Sequence, residues 1–406
     1  MTKAHVYASN ELQTLIDQTP ANSALYLENR TYTGPVEITK PIAIFGGDKT
    51  TITSETNGVT ITSTNNVQLQ SIHFAVNDIA VRMEDVSDSR LAHIQVQENN
   101  KGIQIYKSNN IQLQNIEIDG RTGHFATKGN GISLFDSQYI EVSNSKIQNV
   151  HDGLYFENTD NVTAENNQIR GSRYGIHLMY ADNIDIQHNQ LSKNVTGIMT
   201  MMVNGMDILH NTISKHNQLN SNGLILFDVR EVTVAHNELT ENTVATVLQN
   251  AKATTLQENV FRINGTVIQV KKSPEAIVSN NKFFGNILAA SSDTEGVHLS
   301  HNQYDDYSGK DYNGDGIGDT QYMAAKSFGQ WMVRKPVYQY FVESPSVVLL
   351  NLMDNELKGK EQQILVDDQP VIMEENLGLK LKLHIPQLLI GLIGILFVIL
   401  VRRKLI

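Results

Sequence analysis

Apolar and polar positions alternate over short stretches of this chain, and the stretches recur at a fixed interval. The segments that begin at Gly131, Gly153, Gly175 and Gly197 alternate in this way, and a constant 22-residue step separates their glycines. Alternation with period two predicts short half-buried strands. Asparagines recur with the same step, except for one longer and one slightly shorter interval, at Asn167, Asn189, Asn211, Asn237, Asn259, Asn281 and Asn302.

One repeat unit of this size is long enough for a coil of three short strands. Stacked coils bury a continuous column of Ile, Leu and Val. The recurring Asn is expected to adopt a left-handed backbone and to hydrogen-bond to its copy one coil away. The sequence therefore predicts an all-β parallel β-helix, a solenoid of about ten or eleven coils over residues 20–303. A leucine-rich repeat is excluded because no Leu-x-x-Leu-x-Leu frame recurs.

We expect four parts along the chain. Residues 1–45 form an N-terminal cap, in which residues 10–17 are expected to form a short amphipathic helix over the open first coil. The β-helix takes residues 46–303, and residues 304–382 form a closing and docking segment. Residues 383–406 are expected to form a C-terminal transmembrane helix.

The expected anchor rests on one long apolar run at residues 385–401, close to the ~20 residues that span a bilayer. Arg402, Arg403 and Lys404 follow it, and such a positive cluster stays in the cytoplasm. The body of the protein is therefore expected on the extracytoplasmic face of the cell membrane. Residues 1–10 have no apolar signal segment, so we expect a signal peptide to be missing from this sequence.

Composition excludes several kinds of site. Asp and Glu outnumber Lys and Arg by 43 to 32, which gives a net charge of −11. With no basic stripe along the sequence, binding to nucleic acid is not expected. The chain has no cysteine, which removes disulfides, thiolate metal sites and cysteine nucleophiles.

One group of outward positions carries residues that bind soft metals. The alternation after Gly175 points His177 and Met179 outward, and one coil later it points Met199 and Met201 outward. The constant step stacks His177 on Met199 and Met179 on Met201, within reach of a single ion. Thioether and imidazole ligands without thiolate or carboxylate favour Cu(I) over zinc or calcium. The alternative is that the methionines only pack against a covering segment.

Three further features are candidates for ion binding. Met202 lies at the turn after the methionine strand and is a further candidate copper ligand. His188, His210 and His236 each precede a ladder asparagine and could stack along the surface, although turns favour polar residues in any case. The segment 311–322 has the spacing of a calcium loop but lacks its last glutamate, so it is either a calcium site or a closing turn. Its candidate ligands are Asp311, Asn313, Asp315 and Asp319.

Carbohydrate binding or cleavage is the alternative function, because many long β-helices are polysaccharide lyases or hydrolases. Such an enzyme needs outward carboxylates spaced for acid–base chemistry. Among the outward positions of the central strands only Glu157 is acidic, and no paired cluster is visible elsewhere. We therefore expect a protein that is not an enzyme. A scaffold without metal is a third alternative.

Four segments resemble the NosD family, the extracytoplasmic copper-binding accessory proteins of nitrous-oxide reductase maturation. They are Asp-Gly-Leu-Tyr-Phe-Glu at 152–157, Arg-Tyr-Gly-Ile-His-Leu-Met-Tyr at 173–180, Asp-Tyr-Asn-Gly-Asp-Gly-Ile-Gly-Asp-Thr-Gln-Tyr at 311–322 and Phe-Val-Glu-Ser-Pro-Ser-Val-Val-Leu-Leu at 341–350. The resemblance covers residues 10–353, and the second and fourth segments are its specific part. It implies that the coils are right-handed.

The resemblance also implies a function: a copper chaperone that receives Cu(I) and passes it on for assembly of the copper–sulfur centre of nitrous-oxide reductase. Its implied partners are the membrane and ATPase subunits of an ABC transporter, the reductase and a separate copper-donor lipoprotein. Segment 336–353 is expected to dock on the transporter's membrane subunits. This chain departs from the family in two ways. Family members from Gram-negative bacteria are typically soluble in the periplasm, whereas this chain has an expected membrane anchor, which suits a Gram-positive host. The coil after Gly197 is also unusually rich in Met.

Overall fold

The computed structural model describes residues 10–97, 101–293, 296–325, 328, 331, 335–341, 344–356 and 365–372. In these residues the chain winds into a solenoid of parallel strands, and each regular coil passes through three faces in the order 1, 2, 3. The prediction of a parallel β-helix is confirmed. The described coils belong to one compact unit within residues 1–372.

The strands of the three faces have the following bounds. Face 1 contains Val36–Ile38, Val59–Asn65, Lys101–Tyr106, Ile132–Phe135, Asp152–Glu157, Tyr174–Met179, Thr196–Met201, Asn222–Phe227, Val244–Gln249, Thr266–Lys271 and Leu288–Ser292. Face 2 contains Ser23–Tyr26, Ile42–Phe45, Asn109–Gln114, Gln138–Ser143, Asp160–Glu165, Asp182–Gln187, Asn204–Leu209, Arg230–Ala235, Lys252–Gln257, Ile277–Ser279 and His298–Ser300. Face 3 contains Thr31–Thr33, Thr51–Ser54, Glu117–Asp119, Lys146–Gln148, Gln168–Arg170, Gln190–Ser192, Thr212–Ser214, Glu238–Thr240, Val260–Arg262, Lys282–Phe284 and Gln303–Tyr304. Two long strands bend across faces, Gln68–Val76 over faces 2 and 3 and Ile79–Gln97 over all three.

The solenoid has more coils than the ten or eleven expected. In the described part of the chain, thirteen strands stack on face 2 between Ser23–Tyr26 and His298–Ser300. The first coils escaped the sequence pattern because their spacing is uneven. Leu25 pairs with Ile44, and Ile44 pairs with Leu69, so the first of these two steps is shorter than the later repeat and the second is longer.

The core is the column of inward Ile, Leu and Val side chains, joined by a hydrogen-bonded ladder of buried asparagines. Each ladder side chain from Asn167 to Asn281 donates from Nδ2 to the Oδ1 of its copy in the next coil, at 3.0 Å. The predicted ladder is confirmed, but the prediction that its asparagines have a left-handed backbone is wrong. The left-handed residue is the one before, such as His188 with φ 56° and His210 with φ 55°.

A helix and a short strand close the two ends. The predicted amphipathic helix is confirmed as Glu11–Gln18, with Asn10 as its N-cap and Leu12 and Ile16 buried against the first coils. At the other end, Asp367 in the strand Val366–Asp367 accepts hydrogen bonds from Asn302 and so terminates the ladder. The strand Tyr322–Met323 pairs antiparallel with Val366–Asp367.

The segment expected to dock on a partner contains a 3-10 helix, Pro336–Phe341, and an α-helix, Pro345–Glu356. Val347 packs with Leu288 and Phe328, whereas Val337, Phe341 and Leu349 are exposed. A further 3-10 helix lies at Phe125–Thr127. Within the residues that the structure describes, no helix is long and apolar enough to cross a membrane. The anchor expected at 383–406 lies outside the described residues.

Candidate copper site

The outward columns of face 1 follow the predicted register. His177 pairs with Met199 and Met179 pairs with Met201 between the strands Tyr174–Met179 and Thr196–Met201. We call these four residues the soft-metal patch. Adjacent coils are ~4.8 Å apart and alternate residues of a strand ~6.6 Å apart, so the patch is small enough for one ion.

His177 is less accessible than the alternation suggested, because its side chain leaves the core but is covered at the surface. The residue is 6% exposed. The rings of Tyr155 and Tyr174 meet its ring edge to face, with centroids at 5.0 and 4.9 Å. The imidazole therefore lies against two tyrosine rings, which we call its aromatic box, and Met199 occupies the paired position in the next coil.

Asp152 fixes the orientation of this imidazole. Its Oδ2 lies 2.9 Å from His177 Nδ1, and the carboxyl group is 1% exposed. Arg173 donates to the same carboxylate from Nε at 2.9 Å and from Nη2 at 2.5 Å. Burial alone would raise the pKa of Asp152, but the hydrogen bonds from His177 and Arg173 outweigh it and hold the pKa below its usual value.

The ionised Asp152 determines which imidazole nitrogen can bind a metal. An ionised carboxylate only accepts hydrogen bonds, so Nδ1 of His177 must carry the proton and Nε2 of the neutral ring keeps its lone pair. Nε2 is buried and has no hydrogen-bond partner among the residues that the structure describes. A carboxylate on one ring nitrogen and a metal on the other is the usual arrangement of a metal-binding histidine. The orphaned Nε2 therefore fits a soft cation.

The methionines border a half-buried polar pair. Tyr155 donates from its hydroxyl to Glu157 Oε2 at 2.7 Å, and the same hydroxyl lies 3.6 Å from the sulfur of Met179. Burial and the neighbouring Glu157 raise the pKa of Tyr155, so the phenol stays protonated. In the next coil Ile225 pairs with Met199 and Phe227 with Met201, which gives the patch an apolar boundary.

The donor set is one imidazole and three thioethers. Among the described residues, no three His, Asp or Glu side chains lie close enough together to hold a metal ion. Harder cations such as Zn²⁺ or Ca²⁺ prefer such clusters, whereas thioethers select Cu(I). Met202 lies outside the two columns, exposed at a turn with φ 54°.

The other two predicted ion sites have different geometries. The rings of His188, His210 and His236 stack in parallel at 5.0 and 4.9 Å, as predicted, but parallel rings do not converge on one ion. In the loop 311–319, Asp311 accepts backbone hydrogen bonds from Gly314 at 2.6 Å and Gly316 at 2.8 Å.

These backbone hydrogen bonds hold the pKa of Asp311 below its usual value, and the bond from Gly316 has the largest effect. Asp319 accepts from the backbone of Tyr312, and Asn313 donates to Asp315. Ile317 pairs with Val371, so the loop is tied to the closing strand. Asp311 and Asp319 thus accept backbone hydrogen bonds that shape a turn.

Two features are not predicted by the repeat pattern of the sequence. Asp152 was overlooked because it lies at the start of a strand, in the coil before His177, and only the winding of the chain joins them. Asp185 and Asp207 pair on face 2, beside a groove of about 390 Å³. Burial, and then the charge of Asp207, raise the pKa of Asp185. The expectation that no carboxylates pair on any face is therefore wrong.

Two protein-family models match the chain. The one described as periplasmic copper-binding protein (NosD) matches residues 114–317, which contain the soft-metal patch and amount to half of the chain. The one described as right handed beta helix region matches residues 22–191 and supports the expected handedness. No curated protein sequence matches the chain.

Solved structures share the fold at low sequence identity. PfbA, a surface adhesin of Streptococcus pneumoniae, is 11% identical over 66% of this chain and 86% of its own, with a TM-score of 0.52. The alginate lyase AlyF-OU02 is 10% identical over 72% and 82%, with a TM-score of 0.54. A polygalacturonase from Erwinia carotovora ssp. carotovora is 10% identical over 74% and 95%, with a TM-score of 0.50. An adhesin, a lyase and a hydrolase on one fold establish the architecture alone.

Proposed function

The chain belongs to the NosD family of periplasmic copper-binding proteins, and on that premise we propose that it carries Cu(I) transiently at His177, Met179, Met199 and Met201. One observation carries the proposal: His177 donates from Nδ1 to Asp152, which leaves Nε2 as the ring nitrogen that can bind a metal, and the paired strand carries two outward thioethers. Copper is cargo here, received and passed on for assembly of the copper–sulfur centre of nitrous-oxide reductase.

The donor set suits a carrier better than a permanent site. Thioethers are neutral ligands, so the bound Cu(I) keeps its positive charge. The ion can therefore be transferred to a partner that offers a stronger ligand. The three methionines are half-buried, and an incoming ligand can reach them. The partners proposed for this transfer remain the reductase, the ABC transporter and a copper-donor lipoprotein, at the outer face of a membrane.

An anaerobic Cu(I) titration of the full chain tests the proposal. We expect one Cu(I) per chain and negligible Zn²⁺ at this site. Changing Met179 and Met201 together to Leu conserves side-chain volume, so the fold should persist while copper affinity falls. The matched control is Met206→Leu, because Met206 lies in the same coil but is 2% exposed in the core. Unchanged affinity in the double variant would show that the methionines only pack.

A second candidate function rests on the Asp185–Asp207 pair. Two stacked carboxylates in a groove, one with a raised pKa, are the residue types that cleave glycosidic bonds. If the chain acts on carbohydrate, turnover of polygalacturonate or alginate should be measurable and should be lost in Asp185→Asn. We expect no turnover with either polymer.

A further inference from the structure

Two insertions interrupt the regular step, and both lie at the corner where face 3 turns into face 1. The steps from Gly102 to Gly131 and from Gly197 to Gly223 are both longer than the one from Gly153 to Gly175. The extra residues lie within 120–130 and 217–220, on either side of the coils that carry the soft-metal patch. Insertions in repeat proteins map to loops on one face, which is often the binding face.

The same corner is basic, although the chain has a net charge of −11. We define the basic corner as residues 119–130, 148–152, 170–174, 192–196 and 214–222. These segments contain six Lys and Arg residues against two Asp. The sequence alone shows no basic stripe, because the positive residues are spread over five segments that only the coil brings together.

Both acids of the basic corner are engaged in hydrogen bonds, and the positive side chains outnumber them. Asp152 is buried and bound by Arg173, as described above. Asp119 accepts hydrogen bonds from Gln148 and Asn149, at 2.8 Å each. The cations, by contrast, include four exposed side chains: Arg121, Arg170, Lys193 and Lys215.

The basic corner is continuous with the soft-metal patch. Arg173 belongs to the corner and is bonded to the carboxylate that orients His177. Lys193 lies six residues before Met199, so their Cα atoms are at most ~22 Å apart. Leu219, at the tip of the second insertion, is 66% exposed and offers an apolar anchor.

We propose that the basic corner receives an acidic protein surface that delivers Cu(I) to the soft-metal patch or takes it away. The inference rests on the proposed copper function. Positive charge beside the patch would attract an acidic partner and orient its copper-binding group toward His177 and Met199. A metal-transferring protein is favoured over nucleic acid or lipid, because the cations adjoin a soft-metal site rather than a flat basic face.

Stopped-flow transfer of Cu(I) from two synthetic peptides tests the inference. Both peptides carry one Met-x-x-Met copper motif, flanked in one by glutamates and in the other by lysines. We expect the full chain to take copper from the glutamate peptide at least about 10-fold faster at low salt. The difference should shrink in 0.5 M NaCl, where the Debye length falls to a few ångströms.

The decisive variant is Lys193→Glu with Lys215→Glu. Both residues have left-handed backbones, and in the next coil the same position is occupied by Glu241 with φ 56°, so glutamate is compatible with the corner. The double variant should lose the preference for the glutamate peptide. The matched control reverses the charge of two exposed lysines outside the basic corner, Lys252→Glu with Lys282→Glu, and should keep the preference.

The outcomes separate this inference from the copper function. Equal rates from both peptides would overturn the acidic-partner inference while leaving copper binding intact. No uptake from either peptide would overturn the copper function itself. Equal peptide rates together with binding to phosphatidylglycerol vesicles that the double variant abolishes would overturn the inference in favour of a membrane surface.

Discussion

Adjacent residues on the inner and outer sides of one strand differ in how closely they repeat from coil to coil. Leu178 is fully buried in the core and pairs with Phe156 and Thr200, residues of similar role in the neighbouring coils. His177, one position earlier, pairs with Tyr155 and Met199, which share no chemistry with one another. The inner side must repeat because each coil forms the floor of the next, whereas the outer side is free to vary.

This difference shows where function can reside in a solenoid. The inner column sets the register, and the register then places unlike outer residues side by side. A site can therefore be assembled from single outward substitutions in successive coils without disturbing the fold. The soft-metal patch and the basic corner are both of this kind.

The largest expected effect comes from breaking the inner side. Leu178→Asp would bury an unpaired charge in the core and should destabilise the chain by about 4 kcal/mol or more. Leu178→Met, which conserves volume, should cost less than about 1.5 kcal/mol. Thermal unfolding followed by circular dichroism compares the two. A wild-type melting temperature in Leu178→Asp would contradict the strand register.

A second ladder of inner polar residues provides a smaller, pH-dependent effect. Asn194, Asn242, Asn264 and Asn286 occupy equivalent positions in this ladder, and His216 takes the place of asparagine in one coil. Burial, opposed by backbone hydrogen bonds of Asn194 and Leu191, lowers the pKa of His216 to about 4. The folded protein therefore keeps this ring neutral where the unfolded chain protonates it.

The sign of the pH effect follows from that difference. Below the unfolded pKa of ~6.5, His216 binds a proton in the unfolded chain but not in the folded chain. The free energy of unfolding therefore falls as the pH drops from about 6.5 to about 4. The loss amounts to about 3 kcal/mol. His216→Asn should remove this part of the pH dependence, which denaturant unfolding at pH 7 and pH 4.5 would measure. An equal loss in both proteins would show that His216 is not the sensor.

Features that recur at a constant interval could be predicted from the sequence, and features that do not recur could not. The steps of glycine and asparagine were sufficient for the coil, the ladder and the stacking of His177 on Met199, because each depends on a constant interval. The predicted number of coils was too low because Leu25, Ile44 and Leu69, in the first coils, are unevenly spaced. The left-handed positions were misplaced by one residue, because the ladder asparagines recur for their side-chain hydrogen bonds and the residue before each of them makes the turn.

The candidate site was predicted in part for the same reason. Its ligands follow the repeat, but the residues around them depend on side-chain reach across corners, which no interval encodes. The hydrogen bond from His177 to Asp152 joins residues at different positions within their coils, and the basic corner joins charges from five segments that share no common residue type. The burial of His177 was also missed, because alternation predicts the direction of a side chain and not what covers it.

The smallest expected effect concerns Asp152, which contacts a proposed copper ligand but is not itself a ligand. Asp152→Asn keeps the shape of the side chain but removes the ionised acceptor that holds the proton on Nδ1 of His177. Loss of such an outer partner typically lowers metal affinity by about 10- to 100-fold. Asp182→Asn is the matched control, because Asp182 is an exposed carboxylate that accepts from Asn204 on face 2. Cu(I) affinity should fall in Asp152→Asn alone, with both proteins folded by circular dichroism. Equal affinities in the two variants would mean that the orientation of His177 does not depend on Asp152, and that the imidazole is either held by its aromatic box or is not a ligand.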